Sequence, residues 1–170
     1  PETFSEVYPS RDCTIESFRA DERTPKEPLL LNAALGEEAR AHAQDMAAND
    51  FVSHTGSDGR SPFDRMTAAG YLNGFRGENV AAGQYNAFDA VMSWSCSEGH
   101  RQNLLNANFF EMGAGHRRAN GTEYDRYWAQ KLGGSGSWSM EMNSRGEGVA
   151  VWVPSVPRSL RPLLSVGAHT

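Results

Sequence analysis

NAALGEEARAHAQDMAAND, residues 32–50, decides the fold. Asn32 stands where a helix N-cap would, and Glu37 and Glu38 lie near the positive end of the helix dipole. Leu35, Ala39, Ala43 and Met46 recur at three- and four-residue steps, which predicts a long amphipathic helix. His42 comes one heptad after Leu35, on or beside the apolar face. A lone histidine there is more often a hydrogen-bonded core residue than a ligand.

The pattern extends outward from this helix. Upstream, DCTIESFRA, residues 12–20, reads as a first helix capped by Asp12, and DERTPKEP reads as a loop. Downstream, SHTGSDG is loop-like. SPFDRMTAAG carries complete helix punctuation, with Ser61 as N-cap, Pro62 at N1, Asp64 closing a capping box and Gly70 ending it. The glycine-bearing run YLNGFRGENVAAGQYN is expected to be ordered but irregular. Asn86 and Asp89 frame a helix over 87–96, with Val91, Trp94 and Ala87 expected to face inward.

Past residue 106 the pattern changes to strands. NFFEMGAGHRR and EYDRYWAQKLG are expected to pair through a turn at Asn120-Gly121. GGSGS, residues 133–137, is expected to be a flexible break. WSMEM and GVAVWV alternate, which predicts an extra hairpin over 138–153 turning through NSRGEG. The tail, 154–170, holds three prolines and is expected to be an extended or partly disordered arm. Helices first and strands later imply an α+β domain with an antiparallel sheet.

Composition bounds the function. The 170 residues fit one domain, and 39% hydrophobic with 22% charged residues is the balance of a folded globular chain. No apolar run approaches the ~20 residues that span a bilayer. The net charge of −5 disfavours a nucleic-acid binder, which needs a basic footprint. The opening PETFSEVYPS has neither a basic nor an apolar leader region, as expected of a mature or trimmed fragment. Of the two cysteines, Cys13 and Cys96, two readings stand: one disulfide closing a long loop, or two buried thiols.

Five histidines occur. His169 sits at the end of the chain, and His116 stands beside Arg117 and Arg118 in a strand, where exposure is expected. His54 and His100 each follow a helix end beside glycines, where backbone approaches a ligand closely. Glu78, in RGENVAAG, has no helix face to solvate it and needs water or a partner. Two histidines and a carboxylate can hold a divalent metal with an open position, or work as an acid–base set. Equally, Glu78 can accept backbone N–H bonds and the three can form a structural network. HExxH, GxSxG, P-loop and CxxC motifs are absent. Cys96 lies near His100 as a thiol nucleophile would, but a helix C-terminus raises a thiol's pKa.

HTGSDGRSPFDRMTAAGY, GENVAAG, AVMSWSCSEGHRQNLL, FFEMGAG and YWAQKL follow one another in this order. Together they resemble the CAP superfamily of cysteine-rich secretory proteins, antigen 5 and pathogenesis-related proteins, over about residues 12 to 132, in its bacterial-type branch. The resemblance implies a three-layer α-β-α sandwich with a central antiparallel sheet. One domain would span 1–153, with its core over 12–132 and the extra hairpin over 138–153, and the tail, 154–170, would follow it. It also implies a cleft lined by two histidines and two acids, which carries onto His54, Glu78 and His100. The fourth position falls on Ser97, which is not acidic. Glu98 is adjacent, but one helical step rotates a side chain by about 100°.

The resemblance further implies a secreted, extracellular or cell-envelope module; with no coiled-coil pattern and no long apolar run, the chain is expected to be a monomer without a transmembrane segment. Its cleft would take zinc or another divalent metal on His54 and His100, and it would act by binding a small apolar ligand, a lipid or sterol, or a protein partner. The alternative is a metal-assisted hydrolase or protease with His54, Glu78 and His100 as catalytic residues. A third reading is a structural domain of an envelope assembly that makes contact through Leu160, Leu163 and Leu164 of the tail.

Overall fold

Asn32 caps α1, Ala33–Asn49, its side chain accepting from Leu35 N at 3.2 Å. The helix ends where Asp50 takes the left-handed conformation, φ 51°. Ser61 and Asp64 form the expected reciprocal capping box at the start of α2, Pro62–Ala68. The computed structural model describes residues 13, 18–23, 26, 28–134, 136–142, 145 and 148–154. Of the helix expected over 12–20, residues 18–20 form a bend and turn, and the rest apart from Cys13 lies outside the described residues. So does the tail beyond Pro154.

A four-stranded sheet carries the fold, in the order β1, β3, β4, β2. The strands are β1, Leu30–Leu31; β2, Phe75–Ala82; β3, Glu111–Arg118; and β4, Arg126–Gly134. β2 and β3 both pair antiparallel with β4, and the two-residue β1 joins the β3 edge in parallel. α1 lies across β3 and β4 on one face. α3, Ala87–Cys96, and α4, Glu98–Leu105, pack over β2 on the other. The result is an α-β-α sandwich. A separate hairpin, β5, Gly136–Met142, with β6, Gly148–Pro154, follows β4.

Two glycines let α1 approach the sheet. A Cβ at Gly113 would collide with the backbone of Leu35 and Gly36, and one at Gly115 with that of Ala39. Backbone cannot retreat as a flexible side chain could, so both positions need hydrogen. The main core fills the same interface with Ala39, Ala43 and Met46 from α1 against Val80, Tyr127 and Ala129 from the sheet.

Three expectations change. The run expected to be irregular contains β2, because it pairs with β4 over eight residues, alternate ones exchanging backbone hydrogen bonds. The break expected at 133–137 falls partly in strands, with Gly133 and Gly134 closing β4 and Gly136 opening β5. Val91 is 44% exposed, and Ala87 is exposed too. Ala90 and Trp94 instead form the inward face of α3, one helical turn apart, against Ala81. Trp94 is core, its Nε1 donating to Val80 O at 3.0 Å.

Candidate functional site

Strand alternation divides β2 between the two layers. Val80 and Ala82 face α1, whereas Ala81 faces α3. Glu78 shares the α1 side, with its side chain only 2% exposed. Its Oε1 accepts from His54 Nδ1 at 2.6 Å. Its Oε2 accepts from Arg65 Nη2 at 2.9 Å and from Lys131 Nζ. Arg65 Nε donates to Glu38 Oε1 at 2.7 Å, and its Nη1 donates to the carbonyls of His54 and Arg60. Lys131 Nζ lies 2.5 Å from Glu38 Oε2. Two carboxylates thus face two cations, all four side chains 8% exposed or less. Buried charges persist only when matched in this way.

The environment sets the protonation. Burial would raise the Glu78 carboxyl, but the His54 hydrogen bond and the Lys131 charge outweigh it and hold it below the ordinary carboxylate range. Burial lowers the pKa of His42, only partly opposed by Glu78. His42 lies 3.8 Å from Glu78 Oε2 and donates through Nε2 to Ser53 O at 2.9 Å. The core role expected of His42 therefore comes with a place beside the network. Burial, and next the nearby His54, lower the pKa of His100.

Three expected residues come together. His54, in the loop after α1, bonds Glu78 directly, and His100 is near enough to His54 for the two rings to interact electrostatically. His100 follows the end of α3 at Cys96, as expected, but not in a loop. It lies in the first turn of α4, because the chain re-enters a helix at Glu98. A ladder of amides holds that helix: Asn79 Nδ2 donates to Gln130 Oε1 at 2.9 Å and to His100 O at 3.4 Å, and Asn103 Nδ2 to Asn79 Oδ1 at 2.9 Å.

Glu98 does not join the cluster. It is exposed and accepts from Gln102 Nε2 at 3.4 Å on its own helix. Cys96 is bonded to Cys13, with Cα atoms 5.7 Å apart, which removes the thiol-nucleophile reading. His116 is exposed as expected and stacks on Trp128, ring centres 4.0 Å apart. His169 lies outside the described residues.

The sequence does not mark Glu38, Arg65 and Lys131 as site residues, because each reads locally as a surface charge. A signal existed. Glu38 sits one turn before His42 on the face of Leu35, and Lys131 shares the inward register of Tyr127 and Ala129.

The donor set has a definite capacity for metal. Among the described residues, no group of three or more His, Cys, Asp or Glu side chains is placed to hold an ion. Glu78 does not complete such a group: its side chain is 2% exposed and already accepts from His54, Arg65 and Lys131. Catalytic zinc is held by three protein ligands, which two imidazoles do not supply. Two imidazoles alone could supply only part of a divalent ion's shell. His54 donates through Nδ1 to a carboxylate, which orients the ring and leaves Nε2 as its lone-pair nitrogen.

A sequence profile of the cysteine-rich secretory protein family, CAP, matches residues 14–132. The Bacillus subtilis (strain 168) protein YkwD is 37% identical over 105 residues, 62% of this chain and 39% of YkwD. The membrane protein YlbC of the same strain is 35% identical over 79 residues, 46% of this chain and 23% of YlbC. The chain thus spans less than half the length of either relative. Among solved structures, an extracellular protein containing a SCP domain from Bacillus anthracis superposes with a TM-score of 0.55 at 30% identity, covering 62% of this chain and 33% of that one. An outer surface protein of Borrelia burgdorferi shares the fold, with a TM-score of 0.56 at 20% identity over 63% of this chain and 77% of that one.

Proposed function

Because the chain belongs to the CAP family of cysteine-rich secretory proteins, we propose that it is an extracellular binding module that meets its ligand or partner at the His54–His100 cleft, and not a hydrolase. The burial of Glu78 among three donors carries this reading. A general base needs a lone pair within reach of the proton it takes. Glu78 gives one oxygen to His54 and the other to Arg65 and Lys131. With three hydrogen bonds already accepted and its side chain 2% exposed, it orients His54 and neutralises two cations, and a substrate water has little access to it.

The Cys13–Cys96 disulfide supports an oxidising location. The Bacillus anthracis neighbour is described as extracellular and the Borrelia one as an outer surface protein. No described helix is long and apolar enough to cross a membrane. The ligand class in view is a small apolar molecule, a lipid or sterol, or a protein partner. Tyr85 and Phe88, 70% and 72% exposed near the start of α3, offer apolar area for such a contact. An exchangeable divalent ion would be held by His54 through Nε2 and by His100, with water completing its shell. Bound there, it would supply a positive charge for an anionic or carbonyl group.

Zinc titration calorimetry beside a peptide-hydrolysis assay tests the reading. The wild type is expected to bind zinc weakly, the double variant His54→Ala/His100→Ala not at all, and neither to turn over peptide. Turnover that the double variant loses would overturn the binding-module reading in favour of the hydrolase.

A further inference from the structure

β3 is an edge strand for most of its length. β1 covers only Glu111 and Met112, and at Asn32 the chain turns away into α1. Over residues 113–118 no described strand lies on that side. Asn32 N donates to Met112 O at 2.9 Å, so Met112 points its backbone polar groups away from β4. Strand alternation extends this to Ala114, His116 and Arg118. No hydrogen bond among the described residues takes up their outward N–H and C=O groups. Such a row is a template for one more strand. The face beside it is open as well: α3 packs over β2, and Ala114, His116 and Arg118 are all exposed.

The charge along this edge is of one sign. Arg117 and Arg118 are exposed, and so is Arg40, whose backbone is seated against Gly115. Arg126 lies opposite Arg118 on β4, its guanidinium 4.4 Å from the Tyr85 ring centre. None of these arginines forms an ion pair among the described residues. The acids nearest along the chain are turned to other partners: Glu111 to Asn32 and Tyr71, Asp125 to Gly121 N, and Glu123 to the Tyr124 hydroxyl. Alternation puts Arg118 and Arg126 on the α3 face of the sheet and Arg117 on the α1 face, where Arg40 also lies. An added strand would meet cations on both faces, and unmatched charge of one sign selects a partner of the other. The His116 ring, stacked on Trp128, offers a flat surface to an apolar side chain across the pair.

We propose that the β3 edge at residues 113–118 takes an acidic peptide in extended conformation as a further strand of the sheet. Its backbone bonds Ala114, His116 and Arg118, and its carboxylates meet the arginines on either face. β4 stands between this edge and Glu78, so the contact is separate from the His54–His100 cleft.

Amide hydrogen exchange of the full chain, read by NMR, tests this with the capped peptide Glu-Glu-Val-Val-Glu-Glu, which as a strand shows acids on both faces. The controls are Lys-Lys-Val-Val-Lys-Lys and the acidic peptide N-methylated throughout, which keeps its charges and loses its donors. The amides of Ala114, His116 and Arg118 are expected to exchange at least about tenfold more slowly with the acidic peptide. Those of Gly113, Gly115 and Arg117, already bonded to β4, should not change. Neither control should protect the three, and Arg117→Gln/Arg118→Gln should weaken the acidic peptide several-fold. Exchange unchanged at all three amides overturns the proposal. So does equal binding of the N-methylated peptide, which would make the contact one of charge alone. Protection of all three in the free monomer would overturn it because the chain itself would already cover the edge. Protection that instead rises with protein concentration, with a dimer in analytical ultracentrifugation, would give the edge to a second copy. Peptide binding lost in His54→Ala/His100→Ala but intact in Arg117→Gln/Arg118→Gln would put the peptide in the cleft, and also overturns it.

Discussion

His54 Nδ1 lies 2.6 Å from Glu78 Oε1, and the bond joins an imidazole 48% exposed to a carboxylate 2% exposed. It is the point where a half-exposed imidazole meets the buried charge network. The ring cannot reorient without breaking a bond to a fixed anion. The anion is fixed because Arg65 and Lys131 hold its other oxygen. The chemistry at the surface therefore depends on charge balance beneath it.

Glu78→Gln should show that dependence. The substitution keeps the shape and removes the charge, leaving Arg65 and Lys131 to share Glu38. Breaking a buried pair costs about 3–5 kcal/mol, more than the loss of one neutral hydrogen bond. Urea denaturation of wild type and variant measures it. A loss under about 1 kcal/mol would mean that Glu38 alone satisfies both cations.

Acid should destabilise the protein in two stages. His42 has a folded pKa below its ordinary 6.5. Its contribution is complete above that value and lost as pH falls through the depressed folded one, because the unfolded chain takes up the proton first. His100 acts in the same direction. Glu78, held below 4.5, adds a further loss at lower pH, once the unfolded carboxylate protonates more readily than the folded one. Urea midpoints should fall from pH 6.5 downward, less steeply in His42→Gln. A midpoint flat between 6.5 and 4.5 would contradict the neutral buried imidazole.

How much of this was legible in the sequence follows from the range of the forces involved. The caps at Asn32, Ser61 and Asn86 act within four residues, so α1, α2 and α3 could be read directly. β2 could not, since its strand character comes from pairing with β4 about fifty residues on, where Glu78 stands opposite Lys131. The same limit hid the charge network. Glu38, Arg65 and Lys131 each look soluble in their own element, and only the close seat of α1 on Gly113 and Gly115 buries them together. His54, Glu78 and His100 could be placed in one cleft because their surrounding motifs follow the order of a known family.

Gly113→Ala and Gly115→Ala should each be severely destabilising although they add one methyl group. The added carbon meets the backbone of α1 in both cases, so the helix must lift off the sheet. Overpacking of this kind costs about 1–3 kcal/mol and more where backbone must shift. Lifting α1 also separates Glu38 from Lys131, so the thermal midpoint should fall further than for Ala114→Val, whose side chain lies on the other face of β3 and is exposed. Equal midpoints for the three variants would mean that the helix seat is looser than the backbone contact implies.

Reduction of Cys13–Cys96 should cost more than any single surface interaction of the N-terminal arm. The two cysteines are 83 residues apart, and a loop of that size restricts the unfolded chain by about 4–5 kcal/mol in the chain-entropy account. The arm has other attachments to α4. Arg101 Nε lies 3.1 Å from Glu22 Oε1, and its guanidinium sits 5.0 Å from the Phe18 ring centre. In the oxidised protein these contacts are made at almost no entropic cost, because the disulfide already holds the arm in place. In the reduced protein they must order the arm themselves. Cys13→Ser/Cys96→Ser should therefore match the reduced wild type in its thermal midpoint, and Arg101→Ala should lower the midpoint more in that background than in the oxidised one. If Arg101→Ala has the same effect in both, the arm stays seated without its disulfide, and the stabilisation lies wholly in the unfolded chain.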